Sequence, residues 1–198
     1  MTSRSPIIFD NPDDLADFVI DKMGRDINLG MALGMGKPNH LDNAIFKKAC
    51  DNPAVNLRIL TAISLEMPSW TTELERRFMQ PLVERIWDGY VDLDYIKAVR
   101  QNRLPDNVTV SEFFYKAGGF LNNAHMQQNY ISTNYTHASR DLSANGLNVA
   151  AQLLASRSID KKTMYSTSCN SDLSMEVLAD LNRKRRQGEP TLAIGQIN

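Results

Sequence analysis

Apolar positions along this chain switch repeatedly between a period near four and short continuous runs. Residues 12–23 follow the helical period, with Leu15, Phe18, Val19 and Met23 on one face. Asn11 and Pro12 suit the start of that helix and Gly24 its end. Residues 27–33 form an apolar run and predict a strand. Residues 38–51 return to the helical period through Leu41, Ala44, Ile45 and Ala49, until Asn52-Pro53 stops it. Residues 55–63 are rich in branched side chains and predict a second strand. A helix over 72–90 carries Leu74, Phe78, Leu82 and Ile86 at a spacing of four, with Glu73, Glu75, Arg76 and Arg77 as its solvated side. Residues 93–99 read as a further helix, and 108–114 as a strand.

The second half repeats the scheme. A short helix over 138–144 ends at Asn145-Gly146. Strands are expected over 147–155, 164–168 and 191–197. Between the last two lies a helix over 173–187, with Met175, Leu178 and Leu181 inward. The basic run Arg183 to Arg186 sits at that helix's C-terminus, where solvated cations are favoured. Strands alternating with helices in this way call for crossover units. They predict an α/β fold of three layers: an open, mostly parallel sheet with helices on both faces.

Composition narrows the picture. The 198 residues suit one domain, and 42% apolar residues supply a core. A net charge of −1 gives no general attraction to nucleic acid or to an anionic membrane. No apolar run reaches the roughly 20 residues that span a bilayer. The first residues do not read as a secretory signal. Cys50 and Cys169 stand far apart, as free thiols of a cytoplasmic protein do, and neither has a zinc-ligand spacing. The last apolar run breaks off at Asn198, as in the first part of a longer protein or a subunit that needs a partner.

Candidate chemistry gathers after the first strand. Gly34-Met35-Gly36-Lys37-Pro38 joins that strand to a helix. Glycines there let backbone N–H groups approach a phosphate, a carboxylate or an oxyanion, next to the positive end of a helix. A tight turn with a glycine packed on a neighbour explains the same residues equally well. The spacing fits neither the dinucleotide fingerprint nor the P-loop. His40, His125 and His137 share no metal-ligand spacing, and no metal is expected. Cys169 lies between a strand and a helix without a placed base, and reads as structural. The polar stretch from Gln127 to His137 suits a pocket wall or a hydrophilic loop. Gln196 and Asn198 are polar where a core strand is apolar. Glu112 fits the alternation of a half-exposed strand.

Several segments, in order, resemble the N-terminal domain of acetyl-CoA hydrolases and 4-hydroxybutyrate-type CoA-transferases. They are Gly34 to Pro38, the run 129–137, the run 148–153, the run 165–172 and the run 194–198. The resemblance covers nearly the whole chain and rests on order and spacing rather than on any single motif. It implies that residues 1–198 are the first domain of such an enzyme, with the catalytic second domain absent. In that family a glutamate attacks an acyl-CoA thioester and the acyl group passes to a carboxylate or to water. By the resemblance Gly34, Met35 and Gly36 take the oxyanion role, and Lys37 and Pro38 are expected to join them in CoA binding. The polar side chains Asn134, Tyr135, His137, Gln196 and Asn198 are expected to form the pocket wall. The family's nucleophilic glutamate belongs to the second domain, and none of Glu66, Glu73, Glu75, Glu84, Glu112, Glu176 or Glu189 matches its motif. The chain alone is therefore expected to be inactive. Coenzyme A is expected as substrate, with no resident cofactor. Expected partners are the second CoA-transferase domain and further copies in a homo-oligomer. The alternative is a non-catalytic acyl-CoA or nucleotide-binding module, or an interaction domain.

Overall fold

The computed structural model describes residues 6–160, 162–167, 170–171 and 173–198. Among them, six strands form one sheet: β1 (Asp26–Met31), β2 (Asn56–Thr61), β3 (Val108–Glu112), β4 (Val149–Ile159), β5 (Lys162–Ser166) and β6 (Leu192–Ile197). The order β3-β2-β1-β4-β6 is parallel throughout. β5 turns back antiparallel on the far end of β4, pairing Ala155 with Ser166 and Ile159 with Lys162.

Helices cover both faces. α1 (Pro12–Met23), α2 (Asn39–Asp51), α4 (Asp94–Arg100) and α5 (Ala124–Gln128) pack on one side. α6 (Tyr135–Ala144) and α7 (Ser174–Arg186) pack on the other. Strand alternation explains the division. Ile27, Leu29 and Met31 of β1 join Leu41, Ile45 and Ala16 in the first core. Leu60 of β2 joins Leu33, Ala138, Leu142 and Val177 in the second. The expected three-layer α/β architecture is the one observed.

One edge of the sheet is closed by side chain and loop. The outward N–H of Val110 in β3 donates to His125 Nε2 at 3.0 Å, and Ile131 N–H donates to the Glu112 carbonyl at 3.0 Å. At the other edge, β6 pairs with β4 alone among the described residues.

Three helices depart from the sequence reading. α3 (Glu73–Ile86) begins with a capping box between Thr72 and Glu75. Its apolar stripe faces solvent, with Leu74 at 77% and Phe78 at 78% exposure, and Val83 is its buried residue instead. In α7, Met175 points outward and Val177 takes the inner position beside Leu181. Lys184, in the basic run, is buried and donates to the Leu147 carbonyl at 2.8 Å. α6 starts three residues before the expected helix, because the Asn134 side chain accepts from His137 N–H and caps it.

Candidate functional site

The Gly34-Met35-Gly36 segment is a single 3-10 turn at the carboxyl end of β1, on the edge where open α/β sheets bind ligands. Gly34 has φ +53, a conformation most side chains resist. Gly36 is demanded by space instead. A Cβ there would stand 2.9 Å from Ala32 Cβ and 3.3 Å from both Asn170 Cβ and Gln152 Nε2. The turn's own donors are largely spent. Gly34 N–H donates to the Ile63 carbonyl at 3.2 Å, Gly36 N–H to Leu33 at 3.1 Å and Lys37 N–H to Gly34 at 3.4 Å. Among the described residues the Met35 N–H has no acceptor, and its side chain is 66% exposed.

Lys37 does not reach toward a ligand. Its side chain is 3% exposed, and Nζ donates to the carbonyls of Ala32 at 2.9 Å, Ala62 at 2.7 Å and Ile63 at 3.2 Å. The ammonium thus ties the ends of β1 and β2 beneath the turn. Two buried carboxyls lie in its field. Glu112, expected on a half-exposed strand, is 1% exposed. It accepts a hydrogen bond from the Ser64 hydroxyl, which lies 2.6 Å from the Tyr95 hydroxyl. Burial holds its carboxyl above the ordinary range, against the pull of Lys37. Asp42, also 1% exposed, is pushed well above the ordinary range by burial, with Lys37 again opposing.

A chain of amides that the sequence reading did not single out supports the other side. Asn170 Nδ2 donates to the Leu33 carbonyl at 2.6 Å. Gln152 Nε2 donates to the Asn170 carbonyl at 3.0 Å, and Ser174 Oγ donates to Gln152 Oε1 at 2.6 Å. Gln152 breaks an apolar strand run, and that was the available signal. Ser168 and Cys169 lie outside the described residues.

The pocket-wall residues divide. Asn134 spends its side chain as the cap of α6, accepting from Thr136 Oγ1 at 2.7 Å and His137 N–H at 3.1 Å. Tyr135 and His137 are exposed in the first turn of α6. That helix packs through Ala138 beside Leu33 and Ala62, so its start shares the carboxyl edge with the turn. Gln196 accepts from Leu41 N–H at 3.2 Å and satisfies a donor at the start of α2. Asn198 N–H continues the β6 pairing to the Leu154 carbonyl at 2.9 Å. A mainly apolar cavity of about 510 Å³ lies beside the turn rather than on it, touching Leu33, Gln152, Val177, Ile194 and Ile197. Among the described residues no cluster of three metal-ligating side chains occurs, and no helix is long and apolar enough to cross a membrane.

No protein-family model matches the chain, and no curated protein matches it in sequence. Solved structures do. Two RipA point mutants each match with a TM-score of 0.54 at 13% identity, over 95% of this chain and 41% of theirs. RipA from Yersinia pestis matches at 13% identity with a TM-score of 0.49, over 95% of this chain and 36% of its own. At such identity the likeness is one of fold. The chain spans about two-fifths of the length of the RipA mutants it matches.

Proposed function

We propose that this chain is the oxyanion-loop half of an acyl-CoA hydrolase or CoA-transferase. The observation that carries the reading is the Met35 N–H. It sits without an acceptor among the described residues, in a glycine turn at the carboxyl edge of a parallel sheet. A donor held in place by the surrounding turn is what a developing oxyanion requires. The neighbouring donors of Gly34, Gly36 and Lys37 are engaged within the turn and hold Met35 in position.

In this mechanism a carboxylate from a second domain attacks the thioester carbonyl. The carbonyl oxygen gains negative charge and accepts from Met35 N–H. As the tetrahedral intermediate collapses, the carbon–sulfur bond breaks and coenzyme A leaves as the thiolate. The acyl group stays on the carboxylate as an anhydride, ready for water or an acceptor acid. Glu112 is not that nucleophile. It is buried, bound to Ser64 and turned into the domain. The chain alone is expected to turn over no acetyl-CoA while still binding it.

Calorimetric titration with acetyl-CoA tests the reading. Replacing the Met35 amide by an ester removes the N–H and keeps the side chain. Weaker binding of acetyl-CoA by the ester form supports the donor role. Equal binding by both forms, or none by either, withdraws it.

A further inference from the structure

We propose that Asp42 is held as a neutral carboxylic acid on α2, within the field of Lys37 next to the 34–36 turn, while Glu112 carries the negative charge that answers Lys37. The turn then faces its ligand over a cluster with no net charge. Ionising Asp42 makes the cluster negative and weakens the hold on an anion. The consequence for binding rests on the proposed function above; the assignment of the proton does not.

The hydrogen bonds separate the three groups. An ammonium has three hydrogens, and the carbonyls of Ala32, Ala62 and Ile63 accept three from Lys37 Nζ. A neutral amine has only two, and its lone pair would face a carbonyl oxygen. Lys37 is therefore charged. Glu112 has a donor at one oxygen, since Ser64 Oγ reaches Oε1 and the Tyr95 hydroxyl stands behind Ser64, while Oε2 has no partner among the described residues. A donor to an ionised acceptor favours the charged form. Asp42 has none: among the described residues neither Oδ1 nor Oδ2 has a partner, in a side chain 1% exposed. A buried acid group without a partner is costly, and a buried carboxylate without one is far more so.

The surroundings agree. Asp42 sits on α2 among Leu41, Ala44 and Ile45. Among the described residues the ionisable groups within its influence are Lys37 before that helix and Tyr95 on α4, and Lys37 is the cation of the set. Around Glu112 stand Lys37, Glu66, Tyr95, Tyr115 and Arg100. Of these, Arg100 is paired with Glu66 at 2.6 Å. Burial acts upward on both carboxyls, and only Glu112 has a hydrogen bond to offset it.

Infrared spectroscopy on the chain labelled with ¹³C at the aspartate carboxyl tests the assignment. The carbonyl band of a protonated acid is resolved from that of a carboxylate, and the label separates aspartate from glutamate. One protonated aspartate band is expected at pH 7 in the wild type and none in Asp42→Asn. If Asp42→Asn does not fold by circular dichroism, Asp42→Leu serves for the same comparison. A wild type without the band overturns the proposal, as does a folded variant that keeps it. Calorimetry with acetyl-CoA across rising pH then reads the consequence. Affinity is expected to fall about tenfold in the wild type, the order of one added like charge near the site, and to stay level in Asp42→Asn. A band lost in the variant, with no acetyl-CoA binding at any pH, supports the Asp42 assignment and removes the proposed function instead.

Discussion

Asn170 reaches across 137 positions of sequence to donate to the Leu33 carbonyl at 2.6 Å, just before the turn begins. Its own carbonyl is held by Gln152 on β4. The turn is therefore clamped from two sides, by Lys37 below and by Asn170 beside it. Gly36 lies against Ala32, Asn170 and the Gln152 amide.

Gly36→Val tests that clamp. Its φ is not in the left-handed region, so strain comes from contact and not from backbone conformation. The new side chain would press on Ala32, Asn170 and the Gln152 amide. Overpacking of this kind costs about 1–3 kcal/mol, measurable as a lower urea midpoint with circular dichroism retained. In the two-domain enzyme, turnover is expected to fall by about a hundredfold or more, with a smaller change in KM. A folded Gly36→Val enzyme with full turnover would show that the turn is structural only.

Lys37→Met is expected to be far more damaging than a surface lysine change. It removes the donor to three main-chain carbonyls and leaves Glu112 buried without its cation. Leaving three buried carbonyls without a donor and a buried carboxyl without a nearby cation costs on the order of 3 kcal/mol or more. Chemical denaturation of the variant reads this directly. A loss under 1 kcal/mol, on the order of an exposed pair, would contradict the buried placement.

Asp42 sets a pH dependence of stability whose sign is fixed by its environment. Its carboxyl is raised by burial above the ordinary value of 3.8, so the folded chain holds the proton where the unfolded chain has released it. Between those two values folding takes up a proton, and stability falls as pH rises. Wild type is expected to lose stability from about pH 4 upward through this group. Asp42→Asn is expected to lack that component and to be the more stable protein at the upper end. Parallel denaturation curves at several pH values check it, and identical pH profiles for the two proteins would count against it.

The α3 stripe separates pattern from burial. Phe78 is 78% exposed, whereas Val83 on the same helix is buried. Phe78→Glu is expected to change stability by no more than about 0.5 kcal/mol. Val83→Ala is expected to cost roughly 1–3 kcal/mol. Thermal melts of the two variants suffice, and a larger loss at Phe78 would place the stripe against the body of the protein.

Local patterns along the chain were enough to read most of its elements. Asn11 before Pro12, the alternation of runs and helical periods, and the stops at Gly24 and Asn52-Pro53 all act between neighbours. The strands and the three-layer architecture follow, since each apolar face needs a layer to cover it. The short α5 was not legible, because its job is tertiary: its His125 closes the edge of β3. Nor was the interior of the site. The sequence put Lys37 at the ligand and Glu112 on a half-exposed strand, and Asp42 carried no signal at all. Only the packed chain brings Ala62, Ile63 and Ser64 to them, and burial of a charge depends on partners supplied from distant segments. The opposite holds for Leu74 and Phe78. Spacing made a stripe of them, but a stripe is buried only where another surface meets it, and that meeting is decided in three dimensions.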